Sequence, residues 1–335
     1  MGKQIFIVVW LVALALAAFR PAEAQQTKKI HRIGYLTANT SDAELPRLEA
    51  FRQALRELGH VEGQNIAIEY RHAEGKFDRL PGLAAELVGL KLDVIVGVTT
   101  NAVQAAKQAT RTIPIVFIGV SDPIAAELVE SLARPGGDLT GFTNIAPVLS
   151  GKRLELLKET VPRLFRVAVL WDSQSPGSVP QWKETEVAAA ELGLQLYSME
   201  VSSADKYEGA FKDAIRARSD AIAVTLNPVS NSNQKPIADL AIKRRLPAMC
   251  AREDYVDNGC MMSYGPSYIA EGRDAARYVD RILKGTKPAD LPVEQPMKFD
   301  LVINLKTAKQ IGLTIPPPVL YRADRVIKES AGINR

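Results

Sequence analysis

The amino-acid sequence predicts an α/β protein of two lobes, each a parallel sheet flanked by helices. Strand-like and helix-like stretches alternate along the chain from Ile30 onward, the order of a parallel sheet built from βα units. The strand-like stretches are near-continuous β-branched runs, such as Asp93–Val98 and Ile113–Val120, which suits strands buried on both faces. The pattern also occurs twice. Arg32-Ile-Gly-Tyr-Leu36 matches Arg166-Val-Ala-Val-Leu170, and Glu57-Leu58-Gly59 matches Glu191-Leu192-Gly193, both at a spacing of 134 residues. Asp93–Val96 matches Asp220–Ala223 at 127, and Ile113–Ile115 matches Leu246–Ala248 at 133. Two unrelated α/β units sharing strand-like strings remain an alternative, but four matches in one order favour two lobes of the same topology.

In the first round, Ile30–Leu36 is a strand that ends in small polar residues. The helix after it repeats Leu45, Leu48, Phe51, Leu55 and Leu58 on one face and stops at Gly59. Asn65–Tyr70 is a second strand, and Leu80, Leu83 and Leu87 mark a helix with Pro81 in its first turn. Strand Asp93–Val98, helix Ala102–Thr110 and strand Ile113–Val120 follow. A helix is expected from Pro123 to about Ala133, then a turn cluster at Arg134–Asp138, and Leu139–Ile145 leads away.

The second round opens with helix Ser150–Thr160. Its strands are Arg166–Trp171, Leu194–Val201, Asp220–Leu226 and Leu246–Ala251, with helices Val179–Leu192, Lys206–Ala217 and Lys235–Arg245 between them. Beyond it come strand Gly259–Gly265, helix Ile269–Lys284, strand Phe299–Asn304, helix Lys306–Ile311 and a terminal helix over Ala323–Lys328. Pro288, Pro292 and Pro296 make the run before Phe299 a constrained extended connection.

With 335 residues, 47% hydrophobic and 24% charged, the chain has the material for two domains. A net charge of +4 with mixed signs, and 6% aromatics, point away from nucleic acid or a membrane surface as partner. Residues 1–24 read as a secretory signal: Lys3, an apolar run from Ile5 to Phe19, then Ala22-Glu23-Ala24. The run is short for a membrane span, and a retained anchor is the alternative. Cleavage near Ala24 would leave a periplasmic chain, and no Cys follows that point to carry lipid. Cys250 and Cys260 fall in the exported part, where a disulfide is permitted. Sequence spacing does not fix their geometry, so a bridge and two buried thiols both stay open.

The inventory for catalysis is thin. His31, His60 and His72 are the only histidines, and no metal-spaced set, P-loop, dinucleotide fingerprint or nucleophile motif is present. No catalytic residue, metal or cofactor is expected. What the strand ends offer is hydrogen-bonding side chains, and in a parallel sheet those ends line the ligand crevice. The candidates are Thr37, Asn39, Thr40, Thr99, Thr100 and Asp122 in the first round, and Trp171, Asn227, Asp254 and Tyr264 in the second. Hydroxyls and amides at helix N-termini suit a carboxylate, Asp122 suits an ammonium, and Trp171 and Tyr264 supply flat apolar surface. Each polar member alone also reads as a helix cap.

Several strings together resemble one family. They are Arg134-Pro-Gly-Gly-Asp-Leu-Thr-Gly141, Ile113-Pro-Ile-Val116 with Asp122-Pro123, and Ser263-Tyr-Gly265. Ile282-Leu-Lys-Gly285 with Lys287-Pro-Ala-Asp-Leu-Pro-Val293, and Val302-Ile-Asn304 with Lys306-Thr-Ala308, complete the set. The chain resembles ABC-transporter substrate-binding proteins of the tryptophan/tyrosine-type group over nearly all of its mature length. The resemblance implies a type I periplasmic binding fold, two Rossmann-like lobes joined by a three-strand hinge. Crossings are then expected near Thr140–Ala146, Tyr264–Ser267 and Pro288–Gln295. Lobe I would comprise 25–143 and 266–288, and lobe II 144–265 and 289–335. It also implies a monomer that captures a small polar ligand, such as an amino acid or aromatic amino acid, and delivers it to an ABC permease. Ligand identity does not carry over, and Cys250 and Cys260 are not part of the family's pattern. An exported sensor that presents its liganded form to a membrane receptor, and an exported enzyme, are the alternatives.

Overall fold

The computed structural model describes residues 29–328; the expected signal segment lies outside the described residues. From β1 (His31–Thr37) the chain runs through α1 (Ser41–Glu57), β2 (Ile66–His72), α2 (Leu80–Gly89), β3 (Val94–Val98), α3 (Thr100–Ala109), β4 (Ile115–Val120) and β5 (Leu139–Thr143). It continues through α4 (Ser150–Thr160), β6 (Arg166–Trp171), α5 (Val179–Leu192), β7 (Gln195–Glu200), α6 (Tyr207–Arg216) and β8 (Ala221–Val224). Then come α7 (Pro228–Asn231), α8 (Gln234–Lys243), β9 (Ala248–Cys250), α9 (Glu253–Asp257), β10 (Met262–Gly265) and α10 (Tyr268–Leu283). Last are β11 (Asp300–Asn304), α11 (Leu305–Gln310), α12 (Pro317–Tyr321) and β12 (Arg325–Ile327).

Two sheets form, in the orders β2-β1-β3-β4-β5 and β7-β6-β8-β9-β10-β11-β12. The first five positions of the second sheet repeat the first sheet's order, as the internal repeat predicts. Pairing is parallel throughout except between β10 and β11. Successive side chains point to opposite faces, so each apolar run fills two cores. Ile33, Tyr35, Val94, Val96, Val116 and Ile118 pack with Leu48 and Phe51 of α1 and Tyr278 and Val279 of α10. The intervening Leu36, Ile95, Ile115 and Phe117 pack with Leu80 and Leu87 of α2 and Val103 of α3. The second sheet is covered the same way, by Phe211, Ile237 and Tyr255 on one face and Leu154, Leu157 and Ala189 on the other. Each fully buried aliphatic or aromatic side chain contributes about 1.5–3 kcal/mol, which is what selects this arrangement.

Two expected helices are absent. From Pro123 to Ala133 the chain turns instead: the amides of Leu128 and Val129 both donate to the Pro123 carbonyl, and Glu127 is left-handed (φ 54°). That bend lets two consecutive apolar residues, Leu128 and Val129, enter the core together, which one helical face would not allow. At the C-terminal end, Ala323–Lys328 is not helical. Pro317 starts the earlier α12, Asp324 turns the chain by accepting from the Leu301 amide (2.8 Å), and Val326 pairs with Ile303 of β11. Three short helices, α7, α9 and α12, are not among the expected elements.

The chain passes between the sheets three times, after β5, after β10 and ahead of β11. Residues 291–294 lie along β5, where Glu294 N donates to Gly141 O (3.0 Å) and Thr143 N to Glu294 O (3.1 Å). Arg153 of α4 ties the other two passages together, donating to Ala146 O (2.9 Å) and Tyr264 O (2.8 Å). Burial without a facing carboxylate lowers its pKa to about 9.

Cys250 and Cys260 are joined by a disulfide, with Cα atoms 6.9 Å apart and both side chains in the core. The bridge closes a loop with a sequence separation of 10. The chain-entropy argument for so short a loop gives about 2–3 kcal/mol. Urea unfolding with and without reductant should therefore differ by about that amount, and coincident curves would show the bridge to be stabilising nothing.

Candidate ligand-binding cleft

The C-terminal ends of β1, β3 and β4 face those of the second sheet across a gap of about 520 Å³, counting its open mouth. Its first wall comes from Asn39, Thr99–Asn101, Ser121 and Asn144, and its second from Ser175, Gly177, Asn227, Asn231 and Arg252. The walls touch. Thr40 N donates to Ser232 Oγ (3.1 Å), and Asn231 Nδ2 to Asn39 Oδ1 (3.4 Å). A Cβ built on Gly177 would lie 3.1 Å from Ser121 Oγ and 3.3 Å from Thr100 Oγ1. A larger residue there would crowd the Ser121 and Thr100 hydroxyls at this approach.

One corner is the N-terminus of α3. Its cap residue, Thr99, has φ 81° and ψ 151°, a costly backbone for a β-branched residue. Thr99 gives no side-chain cap, and among the described residues its buried Oγ1 has no hydrogen-bond partner. Asn101 Oδ1, two residues on, is likewise buried and unpartnered. The first amides of α3 also lack acceptors within the helix. The helix N-terminal amides and the Thr99 hydroxyl favour an anion at this point, while the Asn101 oxygen calls for a donor.

The opposite corner is ionic. Glu44 is fully buried and accepts from Tyr35 Oη (2.8 Å), Thr37 Oγ1 (3.3 Å), Asn39 Nδ2 (2.7 Å) and Arg47 Nη1 (2.9 Å). Burial alone would raise its pKa; Arg47, Asn39 and Tyr35 outweigh burial and lower it. Arg47 turns its other nitrogens to the Tyr268 carbonyl (3.3 Å) and Glu271 Oε2 (3.2 Å). Gly272 makes this possible: a Cβ there would meet the Arg47 carbonyl at 2.5 Å, so α1 and α10 cross in near contact. Burial is the chief cause that pushes the Glu271 carboxyl up to about 7. Arg47 opposes the rise, but its charge is already met by Glu44. From the second sheet, Arg252 lies over the Tyr268 ring (4.3 Å) on the same residue that Arg47 approaches (5.4 Å).

Of the residues singled out from sequence, Asn39, Thr99, Thr100 and Asn227 line the cleft together. The others lie elsewhere. Thr37 sits behind the wall on Glu44, and Thr40 caps α1 by accepting from Ala43 N (3.4 Å). Asp122 spends its Oδ1 on the amides of Ile124 (3.1 Å) and Ala125 (2.9 Å), which makes it a turn cap. Trp171 stacks on Trp182 at 5.0 Å and donates to Ser198 Oγ (2.8 Å). Asp254 binds the Arg252 guanidinium and Gln234, so it orients Arg252 rather than facing the gap. Tyr264 packs on Phe299 at 6.1 Å. Arg47, Glu271, Asn144 and Asn231 line the cleft without having been singled out. The first two sit on helices α1 and α10, where charges at amphipathic spacing read as solvent-facing.

No helix among the described residues is long and apolar enough to cross a membrane, and no group of metal-ligating side chains occurs among them. Known proteins are similar to this chain in sequence and fold. A tyrosine-binding protein of Clostridioides difficile is 26% identical over 265 residues, covering 79% of this chain and 76% of the relative. A conserved domain protein of Vibrio cholerae superimposes with a TM-score of 0.84 at 31% identity, over 89% of this chain and all of that one. The ABC domain from Streptococcus pneumonia in complex with L-Trp gives 0.83 at 27% identity, with the same coverage. Residues 37–327 match the family described as ABC transporter substrate binding protein, and the chain belongs to that family.

Proposed function

We propose that this chain works outside the cytoplasm as the solute receptor of an ABC importer. It closes its two lobes on an amino acid, aromatic in the first instance, and hands it to a membrane permease as a monomer without altering it. Lobe I would comprise 25–143 and 266–288, and lobe II 144–265 and 289–335. The ligand's carboxylate would sit at the N-terminus of α3, against Thr99, Thr100 and Asn101, with Asn39 and Asn227 beside it. The observation that carries this reading is the Thr99 hydroxyl, buried without a partner among the described residues at the N-terminus of α3. A buried hydroxyl without an acceptor is costly, and a bound carboxylate would accept from it and from the free first amides of the helix. The tyrosine-binding and L-Trp-complexed relatives support an amino acid as ligand.

Thermal melts with L-tyrosine and L-tryptophan test it. A ligand at a hundredfold excess over its dissociation constant should stabilise the protein by about 2.7 kcal/mol. No shift with either compound would overturn the aromatic amino-acid reading.

A further inference from the structure

The cleft wall holds one carboxylate more than its two guanidiniums can match. Glu271 is nine-tenths buried, lines the gap, and among the described residues takes a hydrogen bond from Arg47 alone, at Oε2. Four of the charges around it are matched in pairs. Arg47 is held by Glu44 and Arg252 by Asp254, so each cation already has its own anion. Glu253 of α9 adds a further negative charge nearby, and Tyr268 lies on Glu271's own helix beneath the two guanidiniums. An ionised Glu271 therefore leaves the cleft with an uncompensated negative charge facing the gap. The anion-favouring corner lies across the end of β4: Thr99 N donates to Ile118 O (3.1 Å), and a Cβ on Gly119 would be 3.8 Å from Glu271 Oε2. The two corners thus stand on either side of a single strand end, with opposite preferences for charge.

We infer that Glu271 is the receptor for the ligand's ammonium group, and that capturing the ligand releases a proton from this carboxyl. This rests on the amino-acid reading above and replaces Asp122, which caps its own turn through Oδ1 and does not line the gap, as the group that meets the amine. In the empty cleft, burial disfavours the ionised carboxylate and holds the group near pKa 7. An ammonium docked against it favours the ionised form and pulls the pKa down. The O–H proton leaves to solvent as the ammonium–carboxylate pair forms. Affinity for an amine-bearing ligand then rises with pH up to the free-cleft pKa and levels above it. Below that pKa it falls by up to roughly tenfold per pH unit.

The experiment is calorimetric titration of the wild-type protein and Glu271→Gln with L-tyrosine and with its desamino analogue, 3-(4-hydroxyphenyl)propionate, between pH 5.5 and 8.5. For wild type, tyrosine affinity should drop about tenfold or more from pH 8 to pH 6, and heats in buffers of different ionisation enthalpy should show proton release. The desamino analogue should lack that pH dependence. Glu271→Gln should bind tyrosine at least tenfold more weakly at pH 8 and show a flat profile. A wild-type tyrosine affinity independent of pH, or a variant within twofold of wild type, would overturn the inference while leaving amino-acid binding intact. The wild-type arms need no substitution, so a variant that fails to fold does not weaken the test. Failure of wild type to bind tyrosine at any pH overturns the inference for this ligand together with the reading beneath it.

Discussion

Glu44→Ala is expected to lower stability by about 3–5 kcal/mol, the usual cost of removing one partner from a buried ion pair. The melting temperature should fall by roughly 10 °C. The side chain is wholly buried and accepts from four donors. Its loss leaves the Tyr35 hydroxyl, the Asn39 amide and one face of the Arg47 guanidinium without an acceptor inside the protein. Glu44→Gln keeps one acceptor oxygen but sets an NH2 where the other oxygen accepted, so it should fall between wild type and alanine. The pH dependence has a definite sign. The folded pKa is lowered, so the contribution of Glu44 is complete above the unfolded value of about 4.3 and disappears as pH falls through the folded value. Wild type should therefore lose more stability on acidification below pH 4 than Glu44→Gln does. Equal acid sensitivity would show that Arg47 does not hold this carboxylate ionised. The same variants should disturb binding, because Glu44 sets the positions of Asn39 and Arg47 in the cleft wall.

That coupling explains which parts of the site could be read from sequence. The buried strands announce themselves because residues such as Val94, Ile95 and Val96 are apolar on both faces, which a surface strand is not. Once the strands are placed, their C-terminal ends are fixed, and Asn39, Thr99, Thr100 and Asn227 follow. The ionic corner is different in kind. Glu44, Arg47 and Glu271 lie on helices, and a charge there is equally at home on a solvent face. Only the crossing of α1 and α10 at Gly272, between residues 225 positions apart, buries them together. Trp171 misleads for a related reason. An indole at a strand end suggests a ligand platform, but its stacking partner, Trp182, is supplied by the next helix. The helix expected after Pro123 failed because composition there is helix-compatible, while burial of the adjacent Leu128 and Val129 demands a bend.

Gly177→Val should abolish tight ligand capture without unfolding the protein. Gly177 lies in the loop after β6, and no left-handed backbone is required of it. A valine is therefore compatible with the local chain conformation, and the melting temperature of the empty protein should stay near that of wild type. The obstacle is across the gap. The first carbon of a side chain would already sit 3.1 Å from Ser121 Oγ and 3.3 Å from Thr100 Oγ1, and the two further methyl groups of valine add bulk at this contact. The lobes can keep their own cores, which do not depend on this contact, but cannot close to the observed separation. Closure brings Asn227, Asn231 and Arg252 up to the groups of the first wall, so a wedged protein would grip its ligand with one lobe. The expected loss in affinity for L-tyrosine is about a hundredfold or more, equivalent to about 2.7 kcal/mol. Small-angle scattering at saturating tyrosine should show wild type contracting while the variant remains expanded. A variant that contracts and binds as wild type does would mean that the loop carrying Gly177 yields, and that closure is set elsewhere along the interface.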